Sequence, residues 1–125
     1  MYRQYNANPV ARRGVDCTVR ALSKALNKSW EDVYWDLCNY GARIFDMPSS
    51  NYVWGSYLRD KGYTRHTIPN TCPQCYSVSE FADDHPRGRY ILALHGHVVP
   101  VVDGDYFDTW DSGDEVPIYY WKRGE

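Results

Sequence analysis

A cysteine, a histidine and an aspartate stand in this chain where nucleophilic thiol chemistry would want them: Cys17, His97 and Asp108. That chemistry needs a thiolate, a base within hydrogen-bond reach and a third group that fixes the base's tautomer. A free thiol near pKa ~8.5 is mostly protonated at neutral pH, whereas one at a helix start beside an imidazolium falls to ~3.5–7.5. The run Gly14-Val15-Asp16-Cys17-Thr18-Val19 delivers Cys17 to the first turn of an amphipathic helix. Unsatisfied backbone N–H groups there supply partial positive charge. Gly96-His97 opens an apolar strand, and Asp108 lies on the next one.

Hairpin arithmetic tests whether the histidine and the aspartate can meet. With Asp103-Gly104 as a two-residue loop, Val102 faces Asp105, Val99 faces Asp108 and His97 faces Trp110. Period-2 alternation then sets His97, Asp108 and Trp110 on one face, with Asp108 the diagonal neighbour of His97 at roughly 7–8 Å. A slip of one residue would present Asp111 instead. Pro100 inside this strand predicts an edge or a bulge. His95 competes with His97 as the base, and the Asp16 charge must be turned away or offset for Cys17 to ionise. The alternatives are a core cysteine and a structural histidine.

The elements that must position these residues read as helices first and strands after. Val19, Leu22 and Leu26 set a helix over 16–26. Ser29 caps a second, with the stripe Trp30, Val33, Tyr34, Leu37 and Cys38, and Gly41 is expected to end it. Ser49 or Ser50 caps a third, carrying Val53, Trp54, Tyr57 and Leu58 and stopped by Gly62. A short strand follows over 63–68. Ser77 with Glu80 forms a capping box for a helix over 78–84. Strands are predicted over 89–94, 97–102, 106–110 and 116–121, and residues 1–13 as an extended arm across the body. This is an α+β domain over 1–125, with N-terminal helices packed on a C-terminal antiparallel sheet.

Composition narrows the function class. One hundred and twenty-five residues suit a single core. A formal charge of −2 argues against nucleic acid as a partner, because phosphate contacts need a basic excess. No apolar run reaches the ~18 residues of a membrane span, and the start lacks a signal peptide's apolar region, so a cytoplasmic protein with no membrane partner is expected. Reduced thiols are then the default for the four cysteines, with Cys38 a small buried hydrophobe. Twelve Tyr and five Trp suit a recognition groove or a core with polar exits.

Asp16-Cys17 opening a helix, Gly96-His97 opening a strand and the following Tyr106-Phe107-Asp108 together resemble papain-like cysteine peptidases of the compact bacterial kind. The layout is most similar to the double-glycine leader peptidases, where Cys, His and Asp occur in that order. The stretch from His97 to Lys122 also resembles small proteins of phages and mobile elements. The resemblance implies a papain-like fold and a cysteine protease: Cys17 the nucleophile, His97 the general base and then acid, Asp108 its orienter, a peptide or protein the substrate, and no cofactor or metal. Such enzymes usually carry a Gln six residues before the cysteine as oxyanion donor. Ala11 stands there, and Asn8, Gln4 or Asn6 could replace it. Asn8, Asp16, Gly96 and Trp110 are the candidate substrate-binding residues.

Two other readings stay open. One is a papain-like binding module of little or no turnover, engaging a host or partner protein. The other is a small zinc-stabilised protein on Cys72-Pro73-Gln74-Cys75, with His66 and His85 completing the ligands or, failing metal, a redox pair.

Overall fold

The structure, a computed structural model, describes residues 1–124. Among these the order is β1 (Tyr2–Gln4), α1 (Cys17–Leu26), α2 (Trp30–Ile44), α3 (Asn51–Asp60), β2 (Tyr63–Thr67), α4 (Val78–Asp84), β3 (Arg89–Leu94), β4 (His97–Val102), β5 (Asp105–Asp108) and β6 (Tyr119–Arg123). The strands form one sheet in the order β1-β5-β4-β3-β6-β2.

The fold is α+β, with two corrections to the expected layout. The sheet is mixed, not antiparallel: the N-terminal arm runs parallel to β5, pairing Tyr2 with Tyr106 and Gln4 with Asp108. The helices also divide between the sheet's two faces. Alternation along β3 sends Ile91 and Ala93 to a core shared with Leu22, Leu37, Trp54, Leu58 and Trp121 from the α1–α3 side and β6. Tyr90, Leu92 and Leu94 go to a second core with Val78 and Phe81 of α4. Because both faces are covered, β3 and β4 are apolar almost throughout rather than alternating apolar with polar.

Local chemistry explains most boundaries. Ser29, Ser50 and Ser77 each accept a backbone N–H at their helix starts, satisfying donors that the helix leaves free. Gly41 does not end α2. It lies one further turn along the buried stripe of Val33 and Leu37, and a Cβ there would fall 2.5 Å from the Asp46 carbonyl oxygen. The glycine admits a close chain crossing, and the helix runs on to Ile44. Asp103 and Gly104 both take positive φ (50° and 84°), the two-residue hairpin turn that matches strand twist. Val102 pairs with Asp105 as the arithmetic required, yet the β4–β5 ladder holds only that pair and Val101 with Tyr106. Pro100 has no N–H to offer beyond them, so its strand is interior but its pairing with β5 is cut short. β5 stops at Asp108 because the Thr109 N–H turns back to Asp108 Oδ1 at 2.8 Å. Among the described residues no helix is long and apolar enough to cross a membrane.

Candidate active site

Cys17 is the first residue of α1, half-buried and unbonded to any other cysteine. Asp16 precedes it without capping the helix through its side chain. Its carboxylate is spoken for: Arg20 donates to one oxygen, and the Trp30 indole (2.9 Å) and the Asn8 amide (3.4 Å) donate to the other. The charge beside the thiol is thereby offset, and the helix start is left without a side-chain cap.

His97 begins β4, directly after the turn His95-Gly96. Its Nε2 lies 2.6 Å from Asp108 Oδ2, which leaves Nδ1 for the thiol. Trp110 packs against the ring at 5.3 Å between centroids. Asp108 is 2 % exposed. Besides His97, it accepts from Ser112 Oγ at 2.8 Å and from the Thr109 N–H, and Arg20 Nη2 lies 3.6 Å from Oδ1. The N-terminal arm braces its backbone, since the Tyr5 N–H and the Tyr2 hydroxyl both donate to the Asp108 carbonyl at 2.8 and 3.2 Å. Asp111, the reserve orienter, is occupied elsewhere: it accepts from the Tyr106 hydroxyl at 2.6 Å and from the Gly113 N–H.

These contacts set the titration. Burial pushes the Asp108 carboxyl up, but the bonds from His97 and Ser112, the His97 charge and the Thr109 N–H outweigh it and hold the group below the usual carboxylate range. Burial alone would lower His97; bonding to Asp108 and to Cys17, with the charge of both, raises it to about 9. Burial likewise raises the Cys17 thiol, and the His97 bond and charge, the Val98 N–H and the Arg20 charge more than reverse this, placing it below an ordinary thiol. A thiol lowered and an imidazole raised are both shifts that favour the charged pair, Cys17 thiolate with His97 imidazolium, over the neutral one.

The pair opens on a groove of about 450 Å³ lined by Thr18, Asn51, Trp54, His95, Gly96 and Tyr119, among others. Of the candidate substrate-binding residues, Gly96 lines this groove, and Trp110, half exposed, covers His97 beside it. Asp16 lines an adjoining apolar cavity. Asn8 does not line the groove: its NH2 donates to Asp16, and its side-chain oxygen accepts from the Val10 and Arg12 N–H groups and shapes the loop. Asn6 likewise binds the Asn8 N–H and the Arg12 carbonyl within that loop, and Gln4 is exposed in β1. None of the three upstream amides therefore takes the place of the missing Gln. Ala11 itself has φ 55° in the same loop. His95 lines the groove on the tight turn, but Asp108 engages His97 instead.

Three residues of the site escaped the sequence reading. Arg20 is 6 % exposed, on the inner side of α1; a charge one turn beyond Cys17 in an otherwise apolar stripe was the available signal. Ser112, fully buried, sits in an acidic run that reads as a solvated loop. Asn51 accepts the Trp54 indole N–H on Oδ1 at 3.0 Å, which leaves its NH2 as an amide donor in the groove.

Cys72 and Cys75, expected as reduced thiols, are bonded to each other. Loop hydrogen bonds draw them together, the Thr71 hydroxyl donating to the Gln74 carbonyl at 2.7 Å and accepting the Tyr76 N–H. The zinc set is not assembled either. His66 stacks on Tyr120, His85 bonds the Phe81 carbonyl oxygen at 2.7 Å, and no group of three or more His, Cys, Asp or Glu among the described residues is arranged to hold a metal ion. Cys38 is half-buried rather than buried.

No family model, curated protein or solved structure matches the chain.

Proposed function

We propose that this chain is a cysteine-dependent hydrolase of papain-like fold that cleaves a peptide or isopeptide bond through a thioester on Cys17. The observation that carries the reading is the 2.6 Å bond from His97 Nε2 to the buried Asp108 carboxylate, which fixes the ring with its other nitrogen toward the thiol. Cys17 Sγ attacks the carbonyl carbon, and the resulting oxyanion is met by the Cys17 backbone N–H and the Asn51 NH2. His97 passes its proton to the leaving amine as the C–N bond breaks. It then takes a proton from water, which attacks the thioester; the C–S bond breaks, the acid leaves and the Cys17 thiolate returns.

Cys17→Ala is expected to abolish labelling by a thiol-directed acyl probe, with the label of the wild-type protein mapping to Cys17 and not to Cys38. Circular dichroism and thermal unfolding of the variant should match wild type. Labelling that persists in C17A, or that maps to Cys38, sinks the proposal.

A second reading, a binding module without turnover, is favoured by the loop of residues 6–12, where Ala11 replaces an amide and Asn8 is committed to Asp16 and to the loop's own backbone. Measured turnover of any acyl substrate by the wild-type chain eliminates it.

A further inference from the structure

The groove over Cys17 does not end at the nucleophile. Two further cavities adjoin it, and each shares lining residues with it. One is apolar, about 260 Å³, lined by Trp30, Tyr34, Leu37 and Met47 and meeting the groove at Val15, Thr18 and Ser49. The other, about 350 Å³, lies between α3 and the β2–β6 ladder and meets the groove at Asn51 and Tyr119. Its charged lining residues are Arg59 and Arg65.

These two arginines arrive from different elements. Arg59 sits in the last turn of α3. Arg65 stands opposite Trp121 across the β2–β6 ladder and so on the same sheet face. Each guanidinium is laid on an aromatic ring of the cavity wall, Arg59 over Trp121 at 5.1 Å and Arg65 over Tyr119 at 4.1 Å. Stacking fixes the plane of a guanidinium while leaving its N–H edge to bond. Among the described residues neither arginine forms a salt bridge. Two preoriented cations without a carboxylate partner among the described residues thus end a cleft that begins at the Cys17 thiol.

We infer, resting on the hydrolase reading above, that Arg59 and Arg65 form a specificity subsite for a carboxylate of the substrate. The substrate is then a peptide that crosses the cleft with a bulky apolar side chain on one side of the scissile bond and an acidic group on the other. Large apolar residues exposed along this path, Val15, Met47, Tyr52 and Ile118, suit a peptide laid over the surface better than a small buried ligand. Planar bidentate pairing with a guanidinium favours a carboxylate over a neutral amide, and two exposed pairs of this kind together amount to roughly tenfold.

The test uses pools of random octapeptides, made with free and with amidated C-termini. The C17A chain, which cannot turn over, is used to select binders from the pools. Asp or Glu should be enriched at one fixed distance from an apolar position, and R59Q/R65Q in the same background should lose that enrichment. Enrichment in both C-terminal forms assigns a side-chain carboxylate; enrichment only with the free terminus assigns the terminal one. Selection without acidic enrichment, or enrichment unchanged in R59Q/R65Q, overturns the subsite. In the active chain the double variant should lower kcat/KM for an acidic peptide about tenfold and leave its Gln isostere, and Cys17 labelling by neutral iodoacetamide, within twofold. Acidic enrichment on C17A with no cleavage by the active chain would count against the hydrolase reading alone.

Discussion

Two regions of this molecule carry cysteines with histidines nearby, and they came out in opposite ways. On one side Cys17 and His97, from a helix start and a strand start, line a single groove, and Asp108, from a strand end, holds His97 from behind it. On the other, Cys72 and Cys75 lie three residues apart with His66 and His85 flanking them in sequence, and no metal-holding group forms among the described residues. The difference lies in what holds each histidine. His97 is fixed by a buried carboxylate that has its own supporting donors. His85 is stacked on Phe81 at 3.8 Å and tied to that residue's own carbonyl; His66 stacks on Tyr120 and pairs with Thr64. Proximity in sequence brought ligand types together, while a strand ladder and a helix seat brought functional atoms together.

The largest effect should come from breaking the ordered side of that contrast. His97→Ala and Asp108→Asn are each expected to lower kcat/KM by about 10³–10⁴, measured on any substrate that Cys17 turns over; a loss below tenfold would detach the pair from the chemistry. Asn51→Asp keeps the acceptor for Trp54 but removes the amide donor, and should cost ~10² or more in kcat with little change in thermal unfolding. A kcat equal to wild type removes Asn51 from the oxyanion site.

Arg20 tests the support beneath the site. Arg20→Met leaves Asp16 and Asp108 without their shared buried cation, and breaking such a pair typically costs about 3–5 kcal/mol. Urea denaturation reads this directly, and an unchanged midpoint would show the carboxylates to be satisfied without it.

pH should separate the two regions as well. Hydrolysis is expected to follow a bell, its acid limb set by the depressed Cys17 thiol and its alkaline limb near 9, where His97 loses its proton. Stability follows the same groups. His97 binds its proton more tightly folded than unfolded, so its contribution is complete below about 6.5 and is lost as pH rises through about 9. Asp108 is depressed, so its contribution is present above about 3.9 and disappears as pH falls through its lower folded value.

The smallest effect belongs to the unassembled side. Cys72→Ser with Cys75→Ser removes one short covalent loop, for which chain entropy allows about 2 kcal/mol at most. Hydrolysis should not change. A large loss of activity would join the two regions functionally and undo the comparison.

Much of this arrangement was legible in the residues because its causes are local. Three serine caps, the Asp103-Gly104 turn and the alternation along β3 each act within a few positions. The turn, with period-2 alternation along the two strands it joins, was enough to register Val102 against Asp105 and to prefer Asp108 over Asp111. What was not legible has long-range causes. The parallel pairing of Tyr2–Gln4 with β5 depends on where the chain end lies after the hairpin forms. Gly41 looks like a helix stop until the crossing of Asp46 is known. In sequence Arg20 is only a charge in an apolar stripe, with no sign of its role, and Ser112 reads as part of a solvated acidic loop, because only the folded chain encloses the carboxylate they serve. The amide donor sought upstream in Asn8 is turned to Asp16, which accepts from its NH2, while its oxygen holds the loop's own N–H groups.

The most direct test of the central claim is the pH dependence of Cys17 alkylation by iodoacetamide, with and without His97. If the two form a thiolate–imidazolium pair, wild-type Cys17 reacts with a midpoint well below that of a free thiol, and His97→Ala moves the midpoint upward toward about 8.5 or beyond. The same midpoint in both proteins would contradict the pairing.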